Sequence, residues 1–103
     1  RFIPTAVAGS LGGKVPEVDA FDPVYPNPFN RAVVLPFRLS RDSRVELAIY
    51  NALGQREALL VQGRLGAGEH RVRWEGASAA SGNYLAVLNV DGKMRMRQLA
   101  LIK

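Results

Sequence analysis

"LPFRLSRDSRVELAIY", residues 35–50, decides the reading of the fold. Leu35, Phe37 and Leu39 share one face of its first run. Val45, Leu47 and Ile49 share one face of its second, with Glu46 and Ala48 opposite. Alternate side chains of an extended backbone point to opposite sides, so period two marks strands with one buried face. The same pattern recurs outward. In "HRVRW" (70–74), His70, Val72 and Trp74 alternate with Arg71 and Arg73. "NYLAVLNV" (83–90) is apolar on both faces, as in a central strand, and "EALLVQ" (57–62) is short, apolar and β-compatible.

Glycines punctuate these runs, in "NALG" (51–54), "GAG" (66–68), "SG" (81–82) and "DG" (91–92). Glycine supplies the positive φ that tight turns need, and Asp-Gly between two strand-like runs predicts a hairpin. Short strands at near-regular spacing, with no helical period and no internal repeat, predict an all-β sandwich or barrel. Two irregularities stand out. Pro36 cannot donate to a ladder, so its strand is expected at an edge or at a bulge. Met94 and Met96 share a parity opposite to that of Leu99 and Leu101. That switch predicts a bulge near Gln98 or a strand covered on both faces.

Residues 1–20 lack periodicity and hold the small-residue run "AGSLGGK" (8–14). They read as a linker from a preceding domain, with a protease-sensitive junction in Ala8–Lys14, and the sandwich is expected over 21–103. At the boundary stands "YPNPFN" (25–30). Pro26 and Pro28 fix φ and push their predecessors toward extended geometry. Asn27 and Asn30 can bond local backbone. Tyr25 and Phe29 are expected to anchor the segment as a rigid lead-in clamped to the sandwich.

The chain has 103 residues, 48% of them apolar, which suits one domain with a packed core. No apolar run approaches the roughly 20 residues of a spanning helix. The chain begins at Arg1 without a recognisable signal peptide, and is expected to be a fragment or processed piece of a longer protein. Absence of cysteine excludes disulfides and thiolate chemistry. The net charge of +5 comes mostly from arginine, eleven against three lysines. Such a balance raises association with anionic surfaces and polysaccharide; the plainer reading is a solvated basic surface.

Catalytic signatures are missing. His70, the single histidine, begins a strand after a glycine turn and has no partner base in sequence. The carboxylates form no acid/base frame, and "GSLGG" lacks the ending of a phosphate loop. Asp19, Asp22, Asn27 and Asn30 could supply oxygens to calcium but match no known loop spacing. Trp74 shares parity with Val72 and is expected in the core. The reading is of a non-enzyme without metal or cofactor.

Taken in order, "YPNPFN", "LPFRLSRDSRVELAIYNALGQ" (35–55), "GAGEHRVRWEG" (66–76), "SGNYLAVL" (81–88) and "LALIK" (99–103) form a set. In order and spacing the set resembles the type A C-terminal sorting domain of type IX secretion cargo. It also resembles the related immunoglobulin-like module of flagellar hook-capping proteins. Three positions depart from the sorting-domain pattern: Arg31 stands where proline is usual, Glu75 where aspartate is usual, and Glu57 where an apolar residue is usual.

The resemblance implies a sandwich of about seven strands, of the immunoglobulin or fibronectin III kind. It implies a signal carried at the end of a larger secreted protein, moving through the periplasm to the cell surface or medium. The implied partners are the outer-membrane secretion machinery, a sortase-like protease and anionic lipopolysaccharide. Neither nucleic acid nor a membrane span is expected, and the chain is expected to be a monomer. The matching positions Pro26, Asn27, Pro28, Phe29, Asn30, Gly82, Tyr84, Leu99, Leu101 and Lys103 are the recognition candidates. Lys103 and a terminal carboxylate are the handle a receptor would reach. Two other readings stand beside this one: a structural spacer or assembly module, and a module binding anionic or carbohydrate ligands through arginines or Trp74.

Overall fold

The computed structural model describes residues 16–103, which form seven strands. These are β1 (Ala20–Phe21), β2 (Ala32–Leu39), β3 (Ser43–Tyr50), β4 (Arg56–Leu65), β5 (Gly68–Glu75), β6 (Gly82–Val90) and β7 (Lys93–Leu101). They build two antiparallel sheets, ordered β1-β2-β5 and β4-β3-β6-β7. The alternating residues of the sequence face each other across the interior. Val33, Leu35, Phe37 and Leu39 of β2 meet Val45, Leu47 and Ile49 of β3, and Ala86, Leu88 and Val90 of β6; all are buried. Each large side chain so buried contributes about 1.5–3 kcal/mol over its exposed state.

In a constant-type immunoglobulin sandwich the fourth strand joins the first, second and fifth. Here β4 lies against β3 instead, and the turn between them shows why. Asn51 Oδ1 accepts from the N–H groups of Leu53 and Gln55, and its Nδ2 donates to Gln55 and Glu57. Gly54 takes φ +81°, which a side chain would resist. The chain is thereby reversed onto the strand it has just left. The Asp91-Gly92 hairpin forms as read, with φ 50° and 90° between the paired Val90 and Lys93.

Both predicted irregularities resolve differently. β2 is the central strand of its sheet, neither edge nor bulged, and Pro36 pairs in regular register with Arg71. The Pro36 carbonyl, which accepts from Asp22 N at 3.0 Å, points toward β1, and so does its imide nitrogen. β1 has ended at Phe21, so no ladder bond is lost there. β7 has no bulge near Gln98; its pairing with β6 is unbroken from Lys93 to Leu101. Nor are both its faces covered. The inward parity is that of Arg95, Arg97, Leu99 and Leu101, and Met94 and Met96 are each 55% exposed. Arg97 can face inward because its guanidinium reaches the Phe21 carbonyl, at 3.0 Å from Nε and 2.7 Å from the terminal nitrogen.

At the start of the described chain, Asp19 Oδ1 accepts from both the N–H and the hydroxyl of Ser40. The backbone bond from Ser40 holds the Asp19 carboxyl below its ordinary range, helped by its hydroxyl and by Arg95 and Arg41. Asp22 forms a two-bond ion pair with Arg38. These commitments scatter the oxygens considered for calcium. The junction expected in Ala8–Lys14 lies outside the described residues.

Candidate functional site

The recognition candidates converge on one end of the sandwich. The lead-in crosses from the small sheet to the large one. Tyr25 exchanges backbone bonds with Val34 of β2, and Phe29 then bridges in parallel to Leu101 of β7. Phe29 N–H donates to the Ala100 carbonyl at 2.9 Å, and its carbonyl accepts from Ile102 N–H at 2.8 Å. Asn27 continues this pairing with its side chain: Nδ2 donates to the Gln98 carbonyl and Oδ1 accepts from Ala100 N–H, both at 3.0 Å. An asparagine amide carries one donor and one acceptor group like a peptide unit, which lets it stand in for a strand residue here. The peptide bonds before Pro26 and Pro28 are both cis.

Beneath the segment is an aromatic cluster. The Phe29 ring lies 5.8 Å from Trp74, and Trp74 lies 5.3 Å from Tyr84 in an edge-on arrangement. The Tyr84 hydroxyl donates to the Ala80 carbonyl four residues back, the tyrosine corner of immunoglobulin-like sandwiches. Gly76 sits where a Cβ would come within 3.1 Å of Phe29 and 3.2 Å of Leu101, so a side chain there would press on both of them.

Of the ten candidates, Phe29, Tyr84, Leu99 and Leu101 are buried. They shape the surface from below. Pro26, Asn27, Pro28, Asn30, Gly82 and Lys103 are exposed on it. Tyr25 is not the apolar anchor expected, since its ring is 48% exposed and only its backbone is tied down. Lys103 is held at both ends: its N–H donates to Ser81 Oγ and its Nζ to the Ala77 carbonyl. Ile102, 59% exposed beside it, belongs to the same surface and was missed. The alternation of Leu99 and Leu101 already implied that Ile102 faces outward.

Elsewhere the chemistry is structural. His70 Nε2 lies 2.7 Å from the Gly66 carbonyl, and its ring stacks on Phe37 at 5.2 Å. A shallow recess beside it is lined by Asp22, Arg38, Glu69 and Arg71, where Asp22 and Arg38 already neutralise each other. Among the described residues no three His, Cys, Asp or Glu side chains are grouped to hold a metal. Among the described residues no helix is long and apolar enough to cross a membrane.

No family model matches the chain, and no curated protein matches it. A solved structure does. The sandwich resembles a segment of PorZ, described as an essential bacterial surface component of the type-IX secretion system of the human oral-microbiomic Porphyromonas gingivalis. The TM-score is 0.51 at 23% identity, over 78% of this chain. The likeness to PorZ is one of fold, and it spans 11% of PorZ's length.

Proposed function

We propose that this chain is a non-catalytic sorting module that directs a larger cargo protein across the outer membrane, for release or for attachment at the cell surface. The observation that carries the reading is the pairing of Asn27 and Phe29 with Gln98, Ala100 and Ile102. The lead-in and the "LALIK" end lie seventy residues apart in sequence, at 25–30 and 99–103, yet form one hydrogen-bonded unit. A receptor at this end would meet Pro26, Asn27, Asn30, Ile102 and Lys103 as a single surface. Support also comes from PorZ, a type-IX secretion component that holds this fold within a much longer chain. The partners follow from the same reading: the outer-membrane secretion machinery, a sortase-like protease and anionic lipopolysaccharide. Of the other readings, a ligand platform on Trp74 is disfavoured, since that ring lies between Phe29 and Tyr84.

The test is a fusion of the chain behind an exported reporter in a host with type IX secretion. The fusion is expected at the cell surface or in the medium. Lys103→Ala is expected to change stability by less than about 0.5 kcal/mol, as usual for an exposed site, and still to reduce export. A folded fusion retained in the periplasm would sink the sorting reading and leave the structural spacer.

A further inference from the structure

β7 is the outermost strand of the larger sheet, and among the described residues only half of its free edge is used. The backbone groups that bond the lead-in are the Gln98 and Ala100 carbonyls and the Ala100 and Ile102 N–H groups, all on even-numbered residues. In an antiparallel ladder the bonding direction alternates residue by residue. The N–H and C=O groups of Met94 and Met96 therefore point the same way, and among the described residues nothing bonds them.

The side chains of this open half alternate without exception. Lys93, Arg95 and Arg97 lie on one side, Met94 and Met96 on the other. Neither Arg95 nor Arg97 has a salt bridge among the described residues, although the Asp19 charge lies near Arg95 and the Arg97 guanidinium also donates to the Phe21 carbonyl. On the opposite side, Met96 continues a cross-strand row through Val87 and Ala48 to Leu59 on the outer face of the sheet. Cations on an edge strand repel a second copy of the same edge, which is one way proteins blunt edges. Protection alone leaves the two exposed methionines unexplained, because a merely guarded edge would be polar on its outer face too. Methionine is the adaptable side chain of binding surfaces.

We propose that the Lys93–Arg97 half of the β7 edge is a strand-addition site for an extended segment of a partner protein that alternates acidic and apolar residues. Its backbone would bond Met94 and Met96, its acids would face Lys93, Arg95 and Arg97, and its apolar side chains would cover the methionines. The chain's own lead-in shows that the edge accepts a strand. The site stands independently of the sorting reading.

The test is a nuclear magnetic resonance titration of the whole chain with a capped octapeptide alternating glutamate and valine. Shifts and new exchange protection are expected at the Met94 and Met96 amides. A peptide with lysine for glutamate is expected to bind at least about tenfold more weakly, as like charges across an interface oppose association. Arg95→Glu, which lowers the charge of the Lys93–Arg97 row from three positive to one, should narrow that difference. If that variant does not fold, Met94→Ser with Met96→Ser alters only exposed side chains and should weaken the glutamate peptide. Equal binding of both peptides, or shifts confined to other strands, would overturn the proposal. So would a concentration-dependent dimer that protects these amides without peptide, which would assign the edge to a second copy. Protection already present in the free monomer would assign it to the chain itself, with the same result.

Discussion

Trp74 links both sheets to the lead-in beneath the candidate surface. It belongs to β5 in the small sheet, packs on Tyr84 of β6 in the large sheet, and supports Phe29 of the lead-in from below. Replacing it by alanine removes packing that the neighbouring strands cannot collapse to fill. Trp74→Ala is therefore expected to cost about 3–5 kcal/mol in urea unfolding, the usual range for a large buried aromatic. A loss below about 1 kcal/mol would mean that the ring is dispensable to the core. The position of Trp74 was legible in the sequence, because parity with Val72 placed it inward. That of Tyr84 was not. Its hydroxyl finds the Ala80 carbonyl through the path of the β5–β6 loop, and a loop path leaves no periodic trace. Gly76 was equally silent. The crowding around it comes from Phe29 and Leu101, both far from it in sequence.

β7 and the lead-in work as one element, although the chain separates them by most of its length. Alternation predicted β7 as a strand but called for a bulge near Gln98 or cover on both faces, because methionine was taken as apolar and so as buried. At an edge that rule weakens. A long arginine can lie along the interior rim and place its guanidinium on a backbone carbonyl, as Arg97 does on Phe21. The reading of Pro36 failed for a related reason: a strand can be central by count and still turn one nitrogen toward a side where its neighbour has already stopped. The lead-in was expected to be clamped to the sandwich, and its bonds do clamp it, but its partner strand was not legible, since parallel bridges between distant segments carry no local signal. Asn27 provides the test at this scale. Asn27→Ala removes the two bonds to Gln98 and Ala100, each worth about 0.5–1.5 kcal/mol at most for such exposed groups. A modest loss of stability is expected, with faster hydrogen exchange at the Ala100 amide and little change at Leu88 in the sheet centre. Unchanged exchange at Ala100 would show that the Asn27 side chain does not hold the edge.

For the molecule as a whole, the decisive feature is how two sheets with separate ladders are made into one unit. The backbone of the lead-in is bonded to both, at Val34 of one sheet and at Ala100 and Ile102 of the other. Arg97 ties the far part of the same seam, from β7 to β1. Inside, the core residues of β2 and β5 form one cluster with those of β3, β6 and β7. Neither sheet can bury its apolar face alone, so separating them would expose both faces at once, and the two should unfold together. Urea unfolding followed by Trp74 fluorescence reports the junction of both sheets with the lead-in; far-UV circular dichroism reports the ladders of both sheets. The two curves are expected to coincide, with one midpoint and a slope of about 1–3 kcal/mol/M, the range for a small two-state domain. Fluorescence changing at lower urea than dichroism would show the lead-in and aromatic cluster detaching while the sheets persist. The surface that joins Asn27 to Lys103 would then be a separable flap, and a receptor could select its open form rather than the closed one described here.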